Sequence, residues 1–381
     1  MKRLEYIKKI KEALNIHPVA ALLGPRQCGK TTLAREYISL LKTEHPKQNY
    51  FDLENIEDIY RLENPMLALS QLKGLIVIDE IQRRPELFPT IRVLADDKTI
   101  KRKFLVLGSA SRDLIKQSSE SLAGRIQYIE LTPFSFKETK DIKKLWIRGG
   151  FPRSYLAKNE KESNLWRESY IQTFLERDIP NLGIQIPPLN LRRFWMMLTH
   201  YHGNICNYSE IGRSLSLTHK TVRNYSDILS STFMMRQLQP WYENISKRQV
   251  KSHKLYFRDS GILHSLMGIK GNDDLLTDPK IGASWEGFML EEVIKLNNAR
   301  QEECFFWSTQ SNAELDLLIV KGNKKFAYEF KYTDHPKITK SMRIALEDLS
   351  LDKINIIYPG RKTYKLDEKI QVTCLDELKV E

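Results

Sequence analysis

The sequence has little of what zinc-bound or disulfide-bonded proteins need. Its four cysteines include no CxxC pair, and its eight histidines include none paired at metal-ligand spacing. Closely spaced Cys and His residues are the usual signature of zinc sites, and regularly spaced cysteines are that of disulfide frameworks. We therefore expect neither kind of site, and we interpret Cys28, Cys206, Cys304 and Cys374 as ordinary thiols.

Long hydrophobic segments are also missing. A membrane-spanning helix needs about 18 or more consecutive apolar residues, and no run in this chain approaches that length. Leu4, Ile7, Ile10 and Leu14 recur at helical spacing, which predicts an amphipathic helix rather than a signal peptide. We expect a cytoplasmic protein that makes no membrane contact.

What the chain does have is an ordinary globular composition with an excess of positive charge. It contains 381 residues, of which 41% are hydrophobic and 28% are charged. That length exceeds one typical hydrophobic core, so two or three domains are expected. The net charge of +12 permits contact with nucleic acid but does not establish it, because many basic proteins bind none.

A phosphate-binding loop organises the amino-terminal region. Two glycines separated by four residues are followed by Lys and Thr, between an apolar strand predicted at 19–23 and a helix predicted at 32–38. In such loops, backbone N–H groups and the helix start bind phosphate, and the Lys reaches the outer phosphates. We predict that ATP contacts the following residues: Gly24, Pro25, Arg26, Gln27, Cys28, Gly29, Lys30, Thr31 and Thr32.

A second motif supports nucleotide binding. Residues 75–78 predict a fully apolar strand, which ends in Asp79 and Glu80. We assign Thr31 and Asp79 to Mg²⁺, and Glu80 to the general base that activates water for ATP hydrolysis. The alternative is a glycine-rich turn beside a buried strand whose two acids are merely solvated.

Apolar strands alternate with helices up to residue 131, which predicts an α/β fold with a parallel sheet. Such sheets bind ligands at the carboxyl ends of their strands. Ser109 ends one strand, where it either senses the γ-phosphate or caps the next helix. Arg125 precedes the last strand. It is a candidate for neutralising transition-state charge, in its own subunit or in a neighbouring subunit of a homo-oligomer, although an exposed structural arginine is the simpler interpretation.

The middle of the chain is predicted to be helical. Long helices are expected at 164–178 and 189–202, followed by a short helix, a turn and a second helix at 207–229. This pattern is typical of a winged helix-turn-helix, with a wing strand at 254–257. In a DNA-binding interpretation the second helix faces the groove through His219, Lys220, Arg223 and Asn224, and phosphate is contacted by Lys247, Arg248, Lys251, His253 and Lys254. Alternatively, these charges are solvated on a module that packs against the ATPase domain.

The carboxyl-terminal region holds a second group of acids. Two strands of alternating polarity joined by a two-residue turn at 322–323 predict a hairpin. Its register places Asp316 opposite Glu329 and Glu314 opposite Lys331, all on one face. Two acids that close repel each other unless a cation lies between them, and Mg²⁺ plays that part in phosphodiester cleavage. The alternative is a ladder of cross-strand charges on a solvated face.

The helix predicted before this hairpin supplies one more acid. Glu286 lies at the edge of the apolar stripe of that helix, so its carboxylate can face the same site. We predict Glu286, Asp316 and Glu329 as metal ligands, and we predict Asp316, Glu329 and Lys331 as catalytic residues if the region cleaves DNA.

The combined motifs resemble those of a widespread prokaryotic family of AAA-superfamily ATP-binding proteins. In that family, the ATPase domain is followed by a region similar to PD-(D/E)xK nucleases. The resemblance rests on 24–31, Asp79-Glu80-Ile81-Gln82, Leu107-Gly108-Ser109, Gly124-Arg125, 131–136 and Gly149-Gly150-Phe151-Pro152. It implies the usual ATPase roles for Lys30, Thr31, Asp79 and Glu80, with Ser109 at the sensor position.

The resemblance extends to the carboxyl-terminal acids. Asp316, Glu329 and Lys331 match the nuclease pattern, and Glu286 matches its helical acid. The sequence departs from the pattern at Leu315, which stands where the pattern has proline.

These observations predict an α/β protein in three parts. They are an AAA-type P-loop ATPase domain (1–145), a helical lid with a winged helix (146–267) and, after a linker (268–282), a small α/β restriction-endonuclease-like domain (283–381). One hypothesis is an enzyme that uses ATP turnover to position or license DNA cleavage. The second is a nucleotide-controlled switch that binds DNA or a protein partner without cutting. The third is a DNA-binding regulator whose ATPase sets its oligomeric state.

Overall fold

The computed structural model describes residues 1–41, 45–109, 118, 120–181, 186–242, 252–309 and 313–379. The chain divides into two compact units. The first comprises Met1–Phe134 together with Ser231–Phe233, and the second comprises Ser135–Ser230 and Met234–Glu381. Across the ranges described, no helix combines the length and the apolar character that crossing a bilayer requires.

Strands and helices alternate through the first unit, as the sequence predicts. Its elements are α1 (Leu4–Ile16), β1 (Val19–Leu23), α2 (Lys30–Ser39), β2 (Tyr50–Asp52), α3 (Ile56–Arg61), α4 (Pro65–Ser70), β3 (Gly74–Asp79), α5 (Leu87–Asp96), β4 (Arg102–Gly108) and β5 (Ile126–Glu130). The strands form one sheet in the order β2-β3-β4-β1-β5, and every pairing in it is parallel. The predicted parallel α/β sheet is confirmed.

The centre of this sheet is apolar on both faces. All five residues of β1 are buried, and its side chains alternate between two hydrophobic clusters. Val19 and Ala21 belong to one cluster, whereas Ala20 and Leu22 belong to the other. A strand covered on both faces explains why the sequence reads as a continuous apolar run rather than as an alternating one.

The carboxyl ends of the parallel strands lie along one edge of the sheet. The phosphate-binding loop follows β1, Asp79 is the last residue of β3, and Ser109 follows β4 directly. The topology therefore gathers the predicted nucleotide-binding residues at the edge where open α/β sheets bind ligands.

The second unit begins with helices and ends with a large sheet. Its helices are α6 (Phe136–Thr139), α7 (Ile142–Arg148), α8 (Pro152–Tyr155), α9 (Glu160–Thr173), α10 (Ile179–Asn181), α11 (Pro188–Leu198), α12 (Tyr208–Leu215), α13 (His219–Ser231), α14 (Ser260–Met267), α15 (Asn272–Thr277), α16 (Ile281–Leu296) and α17 (Lys340–Asp348). Its strands are β6 (Asn204–Ile205), β7 (Met235–Pro240), β8 (Lys254–Phe257), β9 (Cys304–Ser308), β10 (Glu314–Lys321), β11 (Lys324–Phe330), β12 (Ile354–Ile357), β13 (Tyr364–Lys365) and β14 (Ile370–Thr373).

A tight turn joins α12 to α13. Ser216 adopts a left-handed backbone conformation with φ 54°. A Cβ at Gly212 would lie 2.6 Å from the carbonyl oxygen of Leu217, so only glycine lets the turn pack so closely on α12. At the start of α13, the Thr221 N–H donates to Thr218 Oγ1 at 3.1 Å, which is the expected Ser/Thr cap.

The strands of the second unit form one continuous sheet. Its order is β13-β14-β12-β11-β10-β9-β7-β8-β6, so β7 and β8 from the middle of the chain share a sheet with the carboxyl-terminal hairpin. The join is a parallel pairing of β7 with β9, through Gln239↔Phe305 and Pro240↔Phe306. The segment predicted as a linker, 268–282, contains α15 and the first residues of α16.

Candidate functional site

The phosphate-binding loop has a left-handed backbone at two positions. Gln27 and Gly29 have φ values of 62° and 100°, in the left-handed region that glycine adopts most easily. A Cβ at Gly24 would lie 2.2 Å from the carbonyl oxygen of Leu131, so close backbone packing requires a glycine there. The thiol of Cys28 is fully buried, and burial raises its pKa, so it is protonated at neutral pH.

Lys30 lies inside the loop rather than in solvent. Its Nζ donates to the carbonyl oxygens of Gly24 and Pro25, each at 3.0 Å, and the residue is 5% exposed. This contact fixes the ammonium group among the loop residues, where P-loop lysines meet the outer phosphates of a nucleotide.

The Asp79 carboxylate is held by neutral donors. Its Oδ2 accepts from the Thr31 hydroxyl at 2.7 Å and from the Tyr50 hydroxyl at 2.8 Å, and its Oδ1 accepts from the Glu80 N–H at 3.0 Å. Burial raises the pKa of Asp79, and the two hydroxyl hydrogen bonds oppose that rise. The sequence did not single out Tyr50, because a tyrosine in a predicted strand carries no functional signal.

The oxygen atoms of Thr31 and Asp79 suit Mg²⁺. Mg²⁺ prefers oxygen ligands at 2.0–2.1 Å in octahedral geometry, so neighbouring ligands lie about 3 Å apart. The 2.7 Å between Thr31 Oγ1 and Asp79 Oδ2 is close to that separation. One carboxylate is enough at such a site, because nucleotide phosphates and water supply the remaining ligands.

Glu80 and Ser109 are linked through a residue to which the sequence analysis gave no role. Gln82 Nε2 donates to Glu80 Oε2, and Gln82 Oε1 accepts from the Ser109 N–H at 3.2 Å. Glu80 has a φ of 57°, which is uncommon for a residue other than glycine, asparagine or aspartate. A single amide therefore connects the predicted general base to the end of β4.

Arg26 lies at the carboxyl ends of the parallel strands, whereas Arg125 lies at their amino ends. Arg26 of the loop pairs with Glu54 Oε1 at 2.9 Å. Arg125 lies where β5 begins, and its carbonyl oxygen accepts from the N–H of Val19 at the start of β1. Its guanidinium pairs with both carboxylate oxygens of Asp96, at 2.5 and 2.9 Å.

The position of Arg125 contradicts its predicted role at the phosphate site of its own subunit. β1 is five residues long, which separates the two edges of the sheet by roughly 17 Å. Arg125 therefore cannot reach the phosphate site of its own subunit, and a role in a neighbouring subunit stays a prediction. The sequence could not reveal this, because Arg125 is close to the site only along the chain.

The predicted hairpin register is confirmed up to Leu317↔Tyr328. The next residues outward are Asp316 and Glu329, both buried, and burial together with the Asp316 carboxylate raises the pKa of Glu329. Lys331 Nζ lies 2.7 Å from Glu329 Oε2 and 3.6 Å from Asp316 Oδ2. The hairpin thus brings together the three residues for which the sequence predicts catalysis.

Glu286 on α16 joins the same cluster. Its Oε1 accepts from the Tyr256 hydroxyl at 2.6 Å and lies 3.6 Å from Lys254 Nζ. Burial and the nearby Asp316 carboxylate raise the pKa of Glu286 to about 7. Tyr256 and Lys254 come from β8, which the sequence assigned to a wing and not to this site.

A metal ion does not fit this second cluster. Among the residues with a described placement, no group of three or more His, Cys, Asp or Glu residues is arranged to hold a metal ion. Lys254 Nζ instead contacts Glu286, Glu314 and Asp316. The predicted assignment of Glu286, Asp316 and Glu329 to a metal site is therefore not supported by the geometry.

The burial of Lys254 also contradicts one part of the DNA-binding interpretation, the predicted phosphate contact of this residue. Its side chain is 3% exposed, so it cannot contact phosphate as predicted. Lys247, Arg248 and Lys251 lie outside the described residues. On α13, His219, Lys220, Arg223 and Asn224 are all exposed. The face predicted to meet a groove is accessible, whereas the phosphate contact predicted for the wing is not available at Lys254.

Three family models match the chain in succession. An AAA domain model matches residues 17–140, a domain of unknown function (DUF8612) matches 139–273, and another domain of unknown function (DUF4143) matches 281–378. The first match covers the sheet with the phosphate-binding loop and shows an AAA-type ATP-binding domain. The descriptions of the other two state no activity.

The chain is also similar to curated proteins over nearly its full length. It is 44% identical to uncharacterized protein Rv2008c of Mycobacterium tuberculosis and to uncharacterized protein Mb2031c of Mycobacterium bovis, over 99% of this chain and 85% of each relative. It is 23% identical to uncharacterized protein MJ1544 of Methanocaldococcus jannaschii, over 89% of this chain and 81% of that protein.

Two solved structures resemble the chain at low sequence identity. A Walker-type ATPase of Pyrococcus abyssi is 16% identical with a TM-score of 0.43, covering 70% of this chain and 95% of that one. AMPPCP-bound DnaA from Aquifex aeolicus is 15% identical with a TM-score of 0.27, covering 58% of this chain and 86% of that one.

Proposed function

This chain belongs to the family of the uncharacterized mycobacterial proteins Rv2008c and Mb2031c, and we propose that its first unit hydrolyses ATP with Mg²⁺. The observation that carries the proposal is the 2.7 Å hydrogen bond from the Thr31 hydroxyl to the Asp79 carboxylate. It joins the two predicted Mg²⁺ ligands at the strand edge where Lys30 and Glu80 also lie. This grouping supports the proposal, because P-loop ATP hydrolysis uses a Lys, a Thr, an Asp and a Glu close together at the phosphate site.

The roles divide by chemistry. Lys30 would neutralise the outer phosphates, Thr31 and Asp79 would hold Mg²⁺, and Glu80 would accept a proton from the attacking water. Ser109, at the end of β4, contacts the γ-phosphate. Mg²⁺ supplies charge neutralisation at the transferring phosphoryl group.

The experiment compares wild type with Lys30→Ala by calorimetric unfolding with and without Mg²⁺–ATP. Saturating ATP should stabilise the wild-type first unit by ~2–4 kcal/mol, and the variant should lose that shift. Lys73→Ala is the matched control, because Lys73 is exposed next to the amino end of β3, at the other edge of the sheet. An equal ATP shift in wild type and Lys30→Ala would disprove the phosphate assignment, and hydrolysis in excess EDTA would disprove the Mg²⁺ requirement.

A second proposed function is DNA binding through α13. The exposed His219, Lys220, Arg223 and Asn224 follow a capped helix start, which is the arrangement in which recognition helices present side chains to a groove. ATP turnover in the first unit would then control a DNA-binding second unit. The assay is DNA affinity against salt concentration, with and without ATP.

Charge removal on α13 tests this second function. Arg223→Ala and Lys220→Ala should each weaken binding and reduce the salt slope by about one per lost phosphate contact. Arg153→Ala removes an exposed arginine from a different helix and serves as the control. If neither α13 variant changes DNA affinity, the second unit is better explained as the protein-binding part of a nucleotide switch.

A further inference from the structure

Four carboxylates from three elements of the second unit converge on one place. Glu286 comes from α16, Glu314 and Asp316 come from β10, and Glu329 comes from β11. Asp316 and Glu329 are 5% and 3% exposed, so water cannot screen the charges at the centre of the group. Buried carboxylates at such spacing need a compensating positive charge or shared protons.

Lys254 provides a positive charge from inside the chain. Its Nζ lies 3.6 Å from Glu286 Oε1 and 3.9 Å from Asp316 Oδ1, and it contacts Glu314 Oε1 more closely still. The side chain is 3% exposed, and its ammonium group lies 5.7 Å from the centre of the Phe306 ring. Three carboxylates within 3.9 Å of the ammonium group favour its charged form.

Lys331 compensates the other side of the same acids. It pairs with Glu329 at 2.7 Å and faces Asp316 Oδ2 at 3.6 Å. Asp316 therefore has one ammonium group on each carboxylate oxygen, and its Oδ2 also accepts from the Phe330 N–H at 3.0 Å. The carboxylate that a nuclease-like site would use to hold metal is already satisfied by the chain itself.

We propose that Lys254 is the resident cation of this cluster, occupying the place beside Glu286 and Asp316 for which the sequence predicts a divalent ion. The second unit then binds no divalent ion between Glu286 and Asp316, and it does not cut phosphodiester bonds there. The ammonium group instead ties β8 to α16 and β10. This inference does not depend on ATP hydrolysis in the first unit.

A divalent ion and Lys254 would compete for the same carboxylate oxygens. An ion bound to Glu286 and Asp316 would lie about 2–2.5 Å from their oxygens, and those oxygens are 3.6 and 3.9 Å from Lys254 Nζ. Two cations at such short range repel strongly in a buried site. Metal binding there is therefore strongly disfavoured while the ammonium group remains in place.

The first test is Mn²⁺ binding to the wild-type chain without nucleotide, followed by electron paramagnetic resonance. Asp316→Asn and Asp79→Asn assign any bound ion to the second or the first unit. We expect the second unit of the wild-type chain to bind no Mn²⁺, so that Asp316→Asn leaves the Mn²⁺ signal unchanged. A wild-type site that Asp316→Asn abolishes and Asp79→Asn leaves in place would overturn the proposal, as would Mg²⁺- or Mn²⁺-dependent cleavage of supercoiled DNA that Asp316→Asn abolishes.

The second test removes the resident cation. Lys254→Met keeps the length of the side chain without its charge, and it should tighten Mn²⁺ binding to the second unit by about a hundredfold or more, because a charge about 4 Å away is gone. Lys295→Met is the control, because Lys295 pairs with Glu292 at 2.8 Å outside the cluster and should create no Mn²⁺ site. A folded Lys254→Met chain with unchanged Mn²⁺ affinity would contradict the proposal. If Lys254→Met does not fold, the wild-type measurement decides the question.

Discussion

Asp79 in the first unit and Asp316 in the second show how partners decide what a buried carboxylate can do. Both are nearly fully buried, at 2% and 5% exposure, and the sequence predicts both as Mg²⁺ ligands. The partners of Asp79 are two hydroxyl groups and an N–H group, all neutral. Asp316, in contrast, faces two ammonium groups.

The pKa values of the two acids move in opposite directions. Burial raises the pKa of Asp79, with the Thr31 and Tyr50 hydroxyls only opposing it. Burial also acts to raise the pKa of Asp316, but Lys331 and Lys254 outweigh it and the pKa is lowered. A carboxylate among neutral donors still gains from an added cation, whereas one between two lysines gains little. The same residue type is therefore open to an added cation in one unit and paired with internal cations in the other.

The largest expected effect is on the rate of ATP hydrolysis, and it distinguishes the acids of the first unit from those of the second. Glu80→Gln should slow ATP hydrolysis by about 10²–10⁴-fold while leaving ATP binding intact, because the proton acceptor is lost and the shape of the side chain is kept. Asp316→Asn should leave the rate unchanged. Steady-state phosphate release and nucleotide binding are the measurements. Normal turnover in Glu80→Gln would remove Glu80 as the base, and slow turnover in Asp316→Asn would break the separation between the two groups.

The second prediction concerns a carboxylate that is paired entirely within the second unit. Glu291 accepts from Arg236 and Arg258, and although burial alone would raise its pKa, the two guanidinium groups lower it to about 2. Glu291→Gln removes half of a buried ion pair and should cost about 3–5 kcal/mol of stability.

Tryptophan fluorescence measures the effect of Glu291→Gln on the second unit alone. All six tryptophans of the chain, Trp146, Trp166, Trp195, Trp241, Trp285 and Trp307, belong to that unit. Asp367→Asn, which breaks the exposed pair of Asp367 with Arg343, should change the urea midpoint little. Equal shifts in the two variants would show that internal ion pairing does not set the stability of the second unit.

The third prediction is that lowering the pH reduces the free energy of unfolding of the second unit, because His264 is buried in its neutral form. His264 Nε2 lies 2.7 Å from Ser284 Oγ and its Nδ1 lies 3.2 Å from the Ile147 carbonyl oxygen, so Nδ1 carries the proton and Nε2 accepts. Burial lowers the pKa of His264 from 6.5 to about 4. A lowered pKa means that the unfolded chain binds the proton first, so stability is fully present above pH 6.5 and falls as the pH drops towards 4.

The loss from His264 should reach about 3 kcal/mol at pH 4. His202, whose pKa burial lowers to about 3, adds a loss of the same sign in this unit. The difference between wild type and His264→Gln, followed by urea unfolding and tryptophan fluorescence between pH 7 and pH 4, therefore measures the loss from His264. His335→Gln changes an exposed histidine and should leave the pH profile as in wild type. A stability independent of pH over this range would contradict a neutral buried His264.

Local patterns predicted the elements on which both groups of residues lie. The loop from Gly24 to Thr31, the strand ending at Asp79 and the hairpin register around Asp316 each follow from a short stretch of sequence. In each case the spacing along the chain sets the spacing in space, through a turn, a strand end or a two-residue hairpin. That is why the parallel sheet and the pairing of Leu317 with Tyr328 could be predicted.

Long-range partners could not be predicted in the same way. Lys254 reaches Asp316 from a strand 62 positions earlier in the chain, and as a basic residue near a helix-turn-helix it suggested DNA contact instead. Arg125 is near the phosphate-binding loop only in sequence order, because it starts a strand whose far end meets the site. Which charge lies against which acid depends on the packing of β8, α16 and β10, and no local pattern records that packing.

The last prediction concerns Gln82 in the first unit, whose neutral amide contacts the predicted general base, Glu80. The Ser109 N–H must meet an oxygen, so the Gln82 amide presents Oε1 to Ser109 and Nε2 to Glu80. Gln82 is therefore a positioning residue that orients the Glu80 carboxylate without adding charge. Removing it frees the carboxylate to leave the position for activating water, but it changes no predicted contact to the nucleotide.

Gln82→Ala should therefore lower kcat by about tenfold and leave ATP affinity unchanged, because a misplaced general base weakens only the chemical step. Gln82→Glu should do more, since it puts a second carboxylate against Glu80 and replaces a donated hydrogen bond by repulsion between like charges. Arg83→Ala is the control in the same turn, because its guanidinium faces Glu54 at 3.2 Å rather than Glu80. If Gln82→Ala weakened ATP binding as much as it slowed turnover, Gln82 would support the fold of the site and would not specifically orient Glu80. The neutral contact to Glu80 would then explain nothing about catalysis, and the contrast with the ion-paired acids of the second unit would be structural only.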